Sequence, residues 1–292
     1  MKIFFSLLLL LGLSQANPIL EENEYGVQAD ISTMILTSNN GSRQFLVEGD
    51  MVAPRTRNAM YCFNYNCLWK KDSDGLVTIP YTFSSDFHEW DKKKIQRAMQ
   101  TYIDKTCVRF EPRQNEYDYI SIENSDGCWS DLGRIGGKQV LSINRMGCLN
   151  HGIIQHEINH ALGFQHEQTR SDRDDYVLIN WDNISDDMQY NFYRQNTNNL
   201  DTPYDYSSVM HYGRTAFSIQ SGKDSITPIP NAKVQIGQRQ GMSYIDILRI
   251  NKLYECKDFL EEKQVVEREN LTKKKTPIWK SDLISRFFES SL

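Results

Sequence analysis

Along the chain, apolar and polar positions sort into a few short strands, two amphipathic helices and long stretches with no period. The run LVTIPYTF (Leu76 to Phe83) is rich in β-branched and aromatic residues, which suit a pleated surface, and predicts a strand. In EWDKKKIQRAMQTYIDKT, which follows it, Ile95, Met99, Tyr102 and Ile103 recur at helical spacing and give a helix one apolar face. DYISIENS (Asp118 to Ser125) and KQVLSIN (Lys138 to Asn144) predict two more strands. Beyond Tyr206 loops dominate until SYIDILRINKLYEC, which predicts a helix ending at Cys256. A strand-and-helix half followed by a loop-rich half closed by a helix predicts an α+β domain, and about 200 residues between Asn58 and Cys256 suffice for one core. The chain carries no internal repeat.

The flanks of this domain have a different character. MKIFFSLLLLLGLSQANP has a lysine, an apolar run from Ile3 to Leu13 and small residues Ser14 and Ala16, the pattern of a secretory signal peptide over residues 1–16. The apolar run is too short for a bilayer helix, and no other segment approaches the roughly 20 apolar residues a span needs. A soluble, secreted, extracellular protein is the expectation. Residues 17–57 are polar and weakly patterned and end in LVEGDMVAPRTRNAM; Pro54 followed by Arg55, Thr56 and Arg57 reads as an extended site for a trypsin-like protease. That segment is either a removable pro-segment or a plain linker. The tail 257–292 offers KDFLEEKQVVEREN as a helix extension and apolar residues at helical spacing in IWKSDLISRFFESSL, separated by TKKKTP, which favours disorder over a partner-binding or membrane-surface helix.

Composition narrows the class. A formal net charge of −5 without a basic cluster argues against a nucleic-acid partner. Six cysteines (Cys62, Cys67, Cys107, Cys128, Cys148, Cys256) make an even count, so disulfides are expected in an oxidising compartment, with about fifteen connectivities open. Sequons at Asn40, Asn183 and Asn270 agree with secretion.

The chemistry concentrates in HEINHALGFQH, His156 to His166, which holds three of the six histidines. His156 and His160 are four apart, so a helix sets them about 40° from each other, able to share one ion. Glu157 lies one step round, close to that ion without having to bind it, as in the HExxH arrangement, where the glutamate is general base toward a metal-activated water. Gly163 lets the helix end in a left-handed turn, and the returning chain brings His166 as a third nitrogen. Three neutral imidazoles leave a coordination position open, which a catalytic zinc requires. The full HExxHxxGxxH, with a methionine turn downstream in SVMHYG (Ser208 to Gly213), marks a metzincin-type zinc peptidase.

HEINHALGFQHEQTRSDRDDYV together with SVMHYG resembles the astacin family of zinc endopeptidases over Asn58 to Cys256. NAMYC, NCLW and LVEGDMVAPRTR are similar to its six-cysteine group of fish hatching enzymes. The resemblance implies a metzincin catalytic domain and one zinc ion held by His156, His160 and His166. It further implies Glu157 as base, Met210 as an apolar floor, and Tyr212 as a fifth ligand at rest that swings away to bond the oxyanion. It makes Asp50 a metal ligand of the zymogen only, with release by cleavage between Arg57 and Asn58. It implies Cys107–Cys256 and Cys128–Cys148 bridges. A Cys62–Cys67 loop would replace the family's anchoring of the freed N-terminus near Glu167. Expected partners are an activating trypsin-like protease and extracellular protein substrates, egg-envelope glycoproteins among them.

The remaining polar residues have plainer expectations. His88 and His151 lack a motif and are expected in surface or packing roles, and His211 in a structural or cleft position without metal. Arg170, Asp172, Arg173 and Asp174 are expected to brace a turn through ion pairs, and Tyr204 and Tyr206 to wall it.

Overall fold

A computed structural model of the chain describes residues 29–53 and 66–260. The signal peptide, Arg57, Cys62, the Asn270 sequon and the tail from 261 lie outside the described residues. One seven-stranded sheet organises the first half. Its strands are β1 (Leu46–Val47), β2 (Met51–Val52), β3 (Val77–Phe83), β4 (Val108–Pro112), β5 (Tyr119–Glu123), β6 (Cys128–Ser130) and β7 (Lys138–Ile143), in the order β1-β2-β6-β7-β5-β3-β4. Strands β4, β3, β5 and β7 run parallel, and β6 is antiparallel to β7. The three strands predicted by pattern, β3, β5 and β7, form the centre, where burial on both faces demands continuous apolar runs.

The predicted helices are α2 (Glu89–Lys105) and α4 (Tyr244–Leu253), and the histidine helix is α3 (His151–Ala161). The buried face of α2 carries Ile95, Ala98, Met99 and Tyr102, while Ile103 sits half-buried at its margin. Tyr102 anchors α3, its hydroxyl lying 2.9 Å from the carbonyl of Gln155 and 2.8 Å from Oδ1 of Asn159. The first turn of α3 is capped by Asn150, whose side chain accepts from the Gly152 N–H. Gly152 is obligatory, because a Cβ there would stand 2.1 Å from the Arg239 carbonyl oxygen. At the other end Trp69 Nε1 and the Tyr254 hydroxyl donate to the carbonyls of Ala161 and Leu162, satisfying groups a helix C-terminus leaves open.

Two differences from the pattern reading concern the flanks. Residues 31–52, unpatterned in sequence, contain α1 (Ile31–Asn39), β1 and β2. A nine-residue helix is marginal alone. Docking stabilises it, since Ile31 and Ile35 are buried in the main core and Asp30 caps the first turn by accepting from the Thr33 N–H. The final helix α4 stops at Leu253; Glu255 turns left-handed at φ 48°, Cys256 is bridged, and residues 257–260 resume a helical turn.

The core has two parts. One lies between the sheet and α2 and α3, and includes Ile79, Ile95, Ile122, Ile143, Ile158 and Met210. The other underlies the loop-rich half, around Val177, Phe192, Tyr212 and Ile226, where β8 (Val177–Ile179) pairs with β9 (Ile226–Pro228). Cys107–Cys256 and Cys128–Cys148 are bridged as the resemblance implied, and Cys67 is also disulfide-bonded. Asn40 is exposed at the C-terminus of α1, whereas the Asn183 side-chain amide donates to the Asp224 carbonyl.

Candidate active site

The histidine helix and the returning chain meet at the seam of the two core clusters. Gly163 adopts φ +101°, the left-handed turn its position predicted, and His166 comes back against α3. The Nε2 atoms of His160 and His166 lie 3.1 and 3.2 Å from that of His156. Each ring's other nitrogen is committed elsewhere: His156 Nδ1 to the Val209 carbonyl, His160 Nδ1 to the Phe164 carbonyl and His166 Nδ1 to Glu48 Oε2, all at 2.8 Å. Because Nδ1 faces an acceptor in all three, Nδ1 carries the proton and the Nε2 lone pairs converge. Three converging lone pairs this close repel unless a cation lies between them. A tetrahedral zinc with Zn–N of about 2.0–2.1 Å sets its ligand atoms about 3.3–3.4 Å apart, close to the spacing observed.

Asp50 closes the group. Its Oδ2 lies 3.0 Å from His156 Nε2 and 3.3 Å from His166 Nε2, and Oδ1 3.4 Å from His160 Nε2. Donor atoms of these four buried residues all fall within 4.8 Å of one another. It reaches the site because β2 joins the edge of β6: Met51 pairs with Ser130, and Ser130 N donates to the Asp50 carbonyl. Burial works against its charge, yet His166 and His160 hold its carboxyl well below the usual range. Burial pushes His160 down to about 4 against the pull of Asp50. It also works against charge on His166, where Asp50 and Glu48 prevail and raise the ring to about 9.

Glu157 is fully buried, and neither carboxylate oxygen has a hydrogen-bond partner among the described residues. Burial, reinforced by the Asp50 charge, pushes its carboxyl well above the ordinary range. An unpartnered carboxylate of high proton affinity beside a metal-ligating cluster is suited to take up a proton. Tyr212 stacks obliquely on His166 with ring centroids 4.6 Å apart, and its hydroxyl donates to the Glu48 carbonyl in a short bond.

The turn Ser208–Gly213 is held by residues the motif does not contain. Asp246 on α4 accepts from Ser208 Oγ at 2.6 Å and from Val209 N at 2.9 Å, and Gln168 Oε1 accepts from Tyr212 N at 3.0 Å. The only sequence signal for Asp246 is its place in the capping box that begins with Ser243, which marks a helix start and not a long-range bond. Met210 is buried in the main core. The two nitrogens of His211 are engaged by the Tyr204 hydroxyl and the Tyr212 carbonyl at 2.8 and 2.7 Å, a buried structural position. Arg170 grips Asp172 at 2.8 Å, and Arg173 bonds Asp174 and the Gln168 carbonyl, the bracing expected of this run. Tyr206 donates to the carbonyls of Tyr176 and Ile229 as part of the wall. His88 is the residue that caps α2, its N–H donating to Asp91, and His151 begins α3.

Comparison with known proteins agrees with this geometry. The family model described as astacin, a peptidase family, matches residues 66–255. High choriolytic enzyme 1 of Oryzias latipes is 59% identical over 260 residues, spanning 86% of this chain and 96% of that protein. Low choriolytic enzyme of the same fish is 51% identical over 262 residues, with the same coverage. An astacin-like metalloendopeptidase of Gallus gallus is 48% identical over 227 residues, 77% of this chain and 55% of that one. The solved structure of high choriolytic enzyme 1, described as a hatching enzyme zinc-protease, superposes with a TM-score of 0.66 at 62% identity, covering 68% of this chain and all of that one. With three histidines converging beside an unpartnered glutamate, and a family match over residues 66–255, this chain belongs to the astacin family of zinc metalloendopeptidases.

Proposed function

We propose that the protein is a secreted zymogen whose mature form cleaves egg-envelope proteins at hatching. The observation that carries the catalytic part is the convergence of three Nε2 atoms beside a buried, unpartnered Glu157. In this reading His156, His160 and His166 hold the metal. When bound, zinc polarises the scissile carbonyl and lowers the pKa of a water molecule. Glu157 takes the proton from that water and hands it to the leaving amine. The Tyr212 hydroxyl, which could hold the metal as a further ligand, would donate a hydrogen bond to the oxyanion once freed from the Glu48 carbonyl.

Latency follows from the same contacts. Asp50 lies across all three Nε2 atoms and the Glu48 carbonyl engages the Tyr212 hydroxyl, so these two residues of the pro-segment would block both the metal position and the oxyanion donor. A trypsin-like cleavage after Arg57 frees them. The hatching substrate is supported by the identity with fish choriolytic enzymes over most of both chains. The signal-peptide pattern of residues 1–16 supports an extracellular site of action, and no helix among the described residues is long and apolar enough to cross a membrane.

The test is hydrolysis of casein and of isolated egg envelopes by the purified protein before and after limited trypsin treatment, with zinc measured in parallel. Activity that appears on cleavage and disappears with a chelator is the expected result. Casein cleavage without envelope cleavage would move the substrate to another extracellular protein, and zinc binding without any hydrolysis would overturn the proposal.

A further inference from the structure

His166 is held from both edges of its ring by the segment that precedes the catalytic domain. Asp50 faces Nε2, and Glu48 Oε2 accepts from Nδ1 at 2.8 Å. Two side chains so close in sequence reach opposite edges of one ring because Glu48 and Gly49 both take left-handed conformations, φ 49° and 82°. Glu48 is 3% exposed, and its other carboxylate bonds go to the catalytic domain: Thr169 Oγ1 at 3.3 Å and Gln195 Nε2 at 2.9 Å.

The other two histidines differ. His156 and His160 find their Nδ1 acceptors in the Val209 and Phe164 carbonyls, both inside the catalytic domain. Only His166 borrows its acceptor from residues 17–57. A carboxylate on the outer nitrogen of a ligating histidine fixes its tautomer and raises its basicity, and losing such a partner typically costs about 10–100-fold in metal affinity.

We infer that Glu48 is a positioning residue for the third metal ligand, so that the zymogen retains zinc through Glu48 as well as through Asp50 and loses this support on activation. The inference rests on His166 being a ligand and on residues 17–57 being removed. It adds that the latent form is the metal-retaining form.

The experiment measures zinc loss from the uncleaved, zinc-loaded protein to an excess of chromogenic chelator. Glu48→Ala is expected to speed loss about 10–100-fold, and Glu48→Gln, which keeps an acceptor without the charge, falls between it and wild type. Circular dichroism and thermal unfolding establish that each variant is folded. Should Glu48→Ala fail to fold, Gln195→Leu replaces it: this change loosens Glu48 and is expected to speed zinc loss in the uncleaved chain while leaving the trypsin-cleaved chain unaffected. Wild-type retention in folded Glu48→Ala overturns the inference, as does an equal effect of Gln195→Leu before and after cleavage. Unchanged zinc stoichiometry in His166→Ala would instead show that the ligand assignment itself is wrong. Trypsin treatment that leaves residues 17–57 attached would do the same for the pro-segment reading.

Discussion

Arg249 on α4 grips the carboxylate of Glu167, the residue next to His166, across a sequence separation of 82. Arg249 Nη2 lies 2.9 Å from Oε1, Nη1 makes a short bond to Oε2, and Asp205 N donates to Oε1 at 2.7 Å. Glu167 N in turn donates to the Met210 carbonyl at 3.1 Å. One buried ion pair therefore ties the last helix, the chain after the third histidine and the methionine turn together.

Removing Arg249 leaves the buried Glu167 carboxylate with only Arg170 at 3.6 Å and the Asp205 N–H, and breaking a buried pair typically costs about 3–5 kcal/mol. Arg249→Met is expected to lower the unfolding free energy by that amount, and Glu167→Gln combined with Arg249→Met by less, because no charge is left unpaired. Denaturant unfolding of the three chains checks this, and equal stability of Arg249→Met and wild type would refute it.

Glu157→Gln keeps the shape of the side chain and removes its basicity. Loss of general-base assistance is expected to cut kcat/KM about 10²–10⁴-fold, with zinc stoichiometry unchanged. Steady-state kinetics beside metal analysis of the trypsin-activated protein decides it; near-wild-type turnover would assign the proton transfer elsewhere.

In Tyr212→Phe the ring that packs on His166 and Phe192 is kept and only the hydroxyl is lost. Removal of one oxyanion donor is expected to lower kcat about 10²–10³-fold with little change in KM. A change confined to KM would make Tyr212 a substrate-binding residue.

The Cys107–Cys256 bridge joins residues 149 apart and fastens the end of α4 to the start of β4. Replacing both cysteines with alanine releases a long loop in the unfolded chain, an expected loss of about 2–5 kcal/mol. Thermal unfolding of the double variant measures it.

Burial pushes His211 from 6.5 down to about 4. Between those values the unfolded chain binds a proton that the folded chain refuses, so stability falls as pH falls through this window, by about 3 kcal/mol in all. Above pH 6.5 the contribution is complete and flat. His211→Gln lacks the titration, and the difference in unfolding free energy between it and wild type should shrink steadily from pH 6.5 to about 4; a constant difference would show that His211 titrates normally.

Much of the site is legible in the chain alone, because its parts are local. The helical period puts His156, Glu157 and His160 on neighbouring positions, Gly163 dictates the reversal, and β-branched runs mark β3, β5 and β7. These are properties of consecutive residues and survive without knowledge of the fold. What surrounds them depends on positions that no period connects. Asp246 under the methionine turn, Gln168 on Tyr212, Arg249 on Glu167 and Glu48 on His166 become partners only when the chain after the third histidine, α4 and the segment at β2 pack together. The helix α1 shows the same division, since Ile31 and Ile35 carry too weak a pattern to announce a helix and are buried only against the finished core. The sequence by itself determined the reactive groups, through spacing along one backbone. The tertiary structure decided which nitrogen of each histidine is free, which carboxylate lies unpartnered and what covers the site, because those depend on long-range contacts that only the packed chain makes.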